Sequence, residues 1–141
     1  MKQKISKEII HLCKDVAILI SLNRDEITSR TKEILFDTHP DVKIIFDKAQ
    51  SNQALLIADA ISVYAVNINN LEKLFPALQR IAKLHFKANV KPGHYYMVGT
   101  ALSSAIEEVI GDKVSEDHMM AWNDAYMYIA NILIKMEKDL Y

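Results

Sequence analysis

In the stretch RIAKLHFKANVKPGHYYMVG (residues 80–99), one histidine stands where a helix presents its apolar side. Leu78, Ile81, Ala82, His85 and Ala88 fall together at helical spacing. A histidine so placed has two uses. As a core residue it is a neutral imidazole with both ring nitrogens hydrogen-bonded. As a metal ligand it gives one nitrogen to the metal and its other N–H to a carboxylate or carbonyl. Acceptors for the second use are in the sequence. Glu137 follows Ala130, Leu133 and Ile134 at i, i+3, i+4, i+7, which places a carboxylate on an apolar stripe. The pair Tyr95-Tyr96 opens the next helical segment, just after a Pro92-Gly93 break, within reach of His85. No second His or Cys stands at chelate spacing from His85, so a zinc site is not indicated. A single-histidine site points to an iron already held by a macrocycle.

The elements that must position these residues read as helices from end to end. A first helix spans about 6–21, with Ser6 as N-cap and Ile9, Ile10, Val16, Leu19 and Ile20 facing inward. A second, about 25–38, carries Ile27, Thr31, Ile34 and Leu35 on one stripe and leads into a short helix begun by Pro40. The run 53–68 is apolar all round and reads as buried; Pro76 then starts a helix that ends near Asn89. Another runs from about His94 to Gly111, taken as a C′ residue, and Ser115 caps the last, about 116–139. The 141 residues form one domain, 1–141, of six to eight helices, too many for a simple four-helix bundle.

Composition narrows the classes. Three glycines and three prolines leave few tight turns for a many-stranded sheet. There is no G-x-G-x-x-G, no G-x-x-x-x-G-K and no C-x-x-C. A formal net charge of −1 with mixed charges argues against a nucleic-acid partner. No apolar run reaches the ~20 residues of a membrane span, and the start lacks a signal-peptide core. One cysteine, Cys13, makes no internal disulfide, so a cytoplasmic location is expected. His11, His39, His94 and His118 read as surface or cap residues. Met97, Met119, Met120, Met127 and Met136 read as core filler, and Trp122 as core.

Taken in order, LFDTHPDVKIIFDK, NINNL, RIAKLHFKANV, HYYMVG, IEEVIGD and AWNDAYMYIA…MEKDLY resemble the bacterial single-domain haemoglobins and the globin domain of flavohaemoglobins, over essentially the whole chain. The resemblance implies an all-α globin fold around a haem b pocket, with His85 as the proximal iron ligand. It implies that Phe46 wedges against the haem, that Gln53 is the distal glutamine and that Ile57 is the apolar residue over the iron. Tyr95 and Glu137 match the pair that hydrogen-bonds the proximal histidine; Val98 and Tyr126 match pocket-lining positions.

One position departs from that pattern. Lys32 stands where these relatives usually carry the tyrosine that faces the bound gas. Three readings of Lys32 follow: its ammonium snorkels to water or a haem propionate; it donates to the ligand; or burial makes it a neutral amine that ligates the iron. A one-turn slip would bring Thr28 or Ser29 inward instead. The function implied is reversible binding of dioxygen or nitric oxide, with nitric oxide dioxygenation as an enzymatic extension. That extension needs a separate reductase, since the 141 residues contain no flavin or nicotinamide domain, and the missing tyrosine weakens it. The alternatives are a six-coordinate haem sensor or redox protein, and a globin-shaped module without haem. The expected assembly is a monomer or homodimer.

Overall fold

Lys7–Leu22 forms the first helix, α1, because Ile10, Cys13, Val16, Ala17 and Ile20 make one buried stripe along it. The computed structural model describes residues 7–43, 71–87 and 90–140. Four further α-helices lie among them: α2 (Arg24–Thr38), α3 (Leu71–Lys87), α4 (Pro92–Ile110) and α5 (Glu116–Lys138). A short 3₁₀ turn, Gly111–Lys113, joins the last two. No described residue lies in a strand. The helical segment expected at 53–68 and the Ser6 cap lie outside the described residues.

The helices pack in crossing pairs, α1 and α3 against α5, and α2 against α4, with α4 also against α5. Trp122 on α5 is 1% exposed and sits in the main core with Ile20, Ile27, Leu78, Leu102 and Ile106. A smaller cluster, Leu35, Val42, Val98 and Ala101, fills the space where α2 meets α4. At the surface of that pair Arg30 holds both carboxylate oxygens of Glu108, at 2.5 and 3.1 Å. This fork is exposed and fixes register more than it stabilises.

The helix ends follow their capping chemistry. The Ser115 hydroxyl accepts from the His118 N–H at 3.2 Å, and His118 Nδ1 accepts the Ser115 N–H at 3.1 Å. His94 Nδ1 likewise accepts the Lys91 N–H at 2.8 Å. Both histidines are therefore caps, as expected.

Three local expectations are corrected. Pro76 does not start its helix: α3 begins at Leu71 and Pro76 lies inside it, exposed. Placed in the second turn, it removes only an early main-chain bond, on the solvent side. Gly111 is right-handed (φ −59°), since the chain continues into the 3₁₀ turn instead of reversing. Met120 is 61% exposed rather than core, because 100° of helical rotation carries it away from buried Met119.

Candidate functional site: a histidine relay between three helices

His85 lies near the end of α3, half-buried beside Ile81 and one turn beyond buried Ala82. The helix ends around it. Its main-chain carbonyl accepts the Val90 N–H at 2.9 Å, which satisfies one of the carbonyls left over at the helix end. The backbone that carries the imidazole is thus tied to the Val90 main chain.

Tyr95 comes from the first turns of α4, where Pro92 takes an opening position that needs no N–H. Its ring meets His85 edge-on, with centroids 5.6 Å apart, and its hydroxyl lies 2.7 Å from His85 Nδ1. The same hydroxyl donates to Glu137 Oε2. Because that proton is committed to the carboxylate, the Tyr95 oxygen accepts from His85, and Nδ1 carries the imidazole proton. The result is a directed chain, His85 Nδ1–H to Tyr95 O–H to Glu137, drawn from α3, α4 and α5. Nε2 keeps its lone pair and makes no hydrogen bond to a described residue.

Two electrostatic facts set the state of this chain. Burial holds the His85 imidazolium down, to a pKa of about 4, so the ring is neutral near pH 7. Burial also pushes the Glu137 carboxyl above its usual range, with the Tyr95 hydrogen bond opposing. Glu137 is 4% exposed and stands in the last turn of α5, the negative end of the helix dipole. Its other oxygen, Oε1, is buried with no hydrogen-bond partner among the described residues. A carboxylate buried at that end costs stability, so its hydrogen bond to Tyr95 is what justifies the position.

Tyr126 anchors the relay from below. Its hydroxyl donates to the Tyr95 carbonyl at 2.5 Å, and burial pushes its phenol well above the usual range. The ring fits because residue 99 is glycine: a Cβ there would lie 2.5 Å from Tyr126 Cε1. Gly99 was not among the residues the sequence singled out. The available signal was a glycine inside a helical pattern, which usually marks close packing.

Val98 is 8% exposed and belongs to the small cluster with Leu35, Val42 and Ala101. Lys32 on α2 is half-buried, between Thr28 and Leu35, which are buried. The Thr28 hydroxyl, one turn from Lys32, is buried with no partner among the described residues, while Thr31 bonds back to the Ile27 carbonyl at 2.7 Å. Ser29 is exposed. Phe46, Gln53 and Ile57 lie outside the described residues. Among the described residues no group of three or more His, Cys, Asp or Glu could hold a metal ion.

This arrangement of helices is shared with known proteins. The globin family model matches residues 33–133, and the chain belongs to the globin family. It is 40% identical over 137 residues to an uncharacterised globin-like protein of Aquifex aeolicus, covering 97% of both chains. It is 34% identical over 140 residues to a flavohaemoprotein of Halalkalibacterium halodurans, covering 97% of this chain and 34% of that one. The chain thus spans about a third of the flavohaemoproteins it matches. Among solved structures, a bacterial globin of Campylobacter jejuni superposes with a TM-score of 0.85 at 33% identity, over 96% of this chain and 99% of that one. An engineered carbene transferase from Rhodothermus marinus, whose name assigns its parent provisionally to nitric oxide dioxygenation, superposes at 0.87 with 27% identity, over 98% and 96%.

Proposed function

We propose that this chain is a haem protein that reversibly binds dioxygen or nitric oxide and that, given electrons by a separate reductase, it converts nitric oxide to nitrate. The observation that carries this reading is the His85–Tyr95–Glu137 relay. It leaves a neutral imidazole with its Nε2 lone pair uncommitted to any described residue, which is the donor a haem iron requires. Family membership and the flavohaemoprotein relatives support haem as the cofactor, which we take to be haem b.

In this reading His85 would hold the iron through Nε2. Val98, Tyr126 and, outside the described residues, Phe46 and Ile57 would line the haem site, and Gln53 would supply a distal amide. Lys32, half-buried, stands in the place of the usual distal tyrosine, with the Thr28 hydroxyl one turn away. When bound, haem supplies the metal at which a diatomic gas coordinates.

The protein's part is proximal. Glu137, through Tyr95, draws the Nδ1 proton away from His85 and makes the ring a stronger donor. A stronger donor favours activation of a coordinated gas over simple storage, which supports the link to nitric oxide turnover.

Optical spectra of the ferric, ferrous and CO forms test the reading, repeated for Lys32→Ala. The expected result is a Soret band from one haem per chain and saturable CO and dioxygen binding by the ferrous form. Ferric and deoxy-ferrous spectra left unchanged by Lys32→Ala exclude Lys32 as an iron ligand; a low-spin spectrum that turns high-spin on the substitution moves the protein to the six-coordinate class. Absence of gas binding by the ferrous holoprotein contradicts the proposal.

A further inference from the structure

From Lys73 to Ile106 the chain has five Lys and Arg residues and no Asp or Glu, whereas the rest of the chain carries 12 cations and 18 carboxylates. A protein of net charge −1 is therefore unevenly charged along its sequence, with its positive segment running from Lys73, past Glu72 in the first turn of α3, into α4. On α3, Arg80, Lys83, Leu84 and Lys87 are spaced i, i+3, i+4, i+7, so they share one face. All four are exposed, Leu84 by 51%. Arg80, Lys83 and Lys87 make no ion pair with a described residue.

The helix dipole accounts for part of this. Lys87 lies in the last turn, where a cation is favoured. Arg80 and Lys83 lie further in, beyond the reach of that effect, and the dipole gives no reason for a large exposed leucine among them. An apolar centre ringed by cations is the anatomy of a transient, electrostatically steered interface.

We propose that this face of α3 docks an acidic flavoprotein that delivers electrons to the site, an inference that rests on the haem reading above. Charge complementarity selects the partner: acidic side chains meet Arg80, Lys83 and Lys87 while an apolar patch covers Leu84. Position selects its role, since Leu84 is the chain neighbour of His85. A donor seated there stands against the helical turn that carries the proposed iron ligand. One electron passes from the donor's reduced flavin to ferric haem iron. The flavin is oxidised by one electron and the iron becomes ferrous.

The test uses the haem-loaded protein and a purified flavodoxin, a small acidic flavin protein, as the probe. Stopped-flow reduction by photoreduced flavodoxin is compared for wild type and for a triple variant, R80E/K83E/K87E. At low ionic strength the second-order rate constant of the variant is expected to fall by about tenfold or more. The wild-type rate is expected to decline with added salt, and reduction by dithionite to be the same in both. Equal flavodoxin rates, or a salt-insensitive wild-type rate, overturn the proposal. Loss of binding to phosphatidylglycerol vesicles with unchanged flavodoxin reduction also overturns it, in favour of a membrane-facing surface.

If the triple reversal fails to fold, R80Q/K83Q/K87Q is expected to give a smaller loss in the same direction, and no loss overturns the proposal. Binding of oxidised flavodoxin, read by titration calorimetry on wild type and variant, needs no haem. Charge-dependent binding by a protein that takes up no haem would refute the haem reading while upholding the docking surface. Full haem occupancy with charge-independent binding would refute the docking surface alone.

Discussion

The Tyr126 hydroxyl donates to the Tyr95 main-chain carbonyl at 2.5 Å, joining α5 to the opening turns of α4. Through this bond the helix that supplies Glu137 also fixes the backbone from which Tyr95 reaches His85. Two connections from one helix, one to the main chain and one to the hydroxyl, leave the Tyr95 side chain little freedom.

Tyr126→Phe removes the main-chain connection and keeps the ring. Stability is expected to drop by about 1 kcal/mol, the net worth of one such bond, with the main-chain carbonyl of Tyr95 left to find another donor. Urea unfolding of the two proteins measures it, and a more stable variant would show that the bond does not hold α4 to α5.

Gly99→Ala tests the close approach of the ring. A Cβ 2.5 Å from Tyr126 Cε1 cannot be accommodated without moving a ring that is 8% exposed. The expected loss is about 1–3 kcal/mol, typical of overpacking. Gly99→Ala in a Tyr126→Ala background should cost far less, since the obstacle is gone, and thermal denaturation of the single and double variants checks the coupling.

Tyr95→Phe interrupts the relay at its middle. Buried Glu137 Oε2 then has no donor among the described residues and His85 Nδ1 loses its acceptor. A stability loss of about 1–3 kcal/mol is expected for groups left unpaired. In the haem-loaded ferrous protein the iron–histidine stretch should move to lower frequency as the imidazole becomes a weaker donor. A stretch that stays put while stability falls would reduce Tyr95 to a structural role.

Cys13 is fully buried on α1, and its thiol donates to the Ala121 carbonyl at 3.3 Å. Burial, with the Asp124 carboxylate adding to it, pushes the thiol from 9.0 to about 11. The native state therefore holds the proton where the unfolded chain releases it. This contribution is fully present below pH 9 and is lost as the pH rises toward 11. Wild type should lose stability relative to Cys13→Ala across that interval. A thiol reagent at pH 8 should label the native protein only at the rate of opening; rapid labelling would contradict the burial.

Much of the relay was legible because its members lie on periodic stripes. His85 and Glu137 were visible as polar residues at apolar register, and Tyr95 as an aromatic placed just after a Pro-Gly break. The all-α architecture followed from the same periodicity, and the Ser115 cap from local chemistry. Other features depend on contacts between distant segments. Gly99 acquires its role from a ring 27 positions away. The start of α3 upstream of Pro76 was hidden because a proline near a helix start costs only one early main-chain bond and so does not mark the first residue. Lys32 sits on the border of its stripe, where periodicity does not distinguish inward from outward, and it is half-buried.

The central claim is that His85 holds a haem iron, and it is tested most directly by resonance Raman and optical spectra of the purified ferrous protein beside His85→Gly. An iron–histidine stretch and a full Soret band are predicted in wild type. In the variant the stretch should vanish, with haem lost or loosely held until added imidazole fills the gap and restores the spectrum. A folded wild-type protein that takes up no haem when it is supplied, or a His85→Gly variant that retains haem with an unaltered iron spectrum, would contradict it.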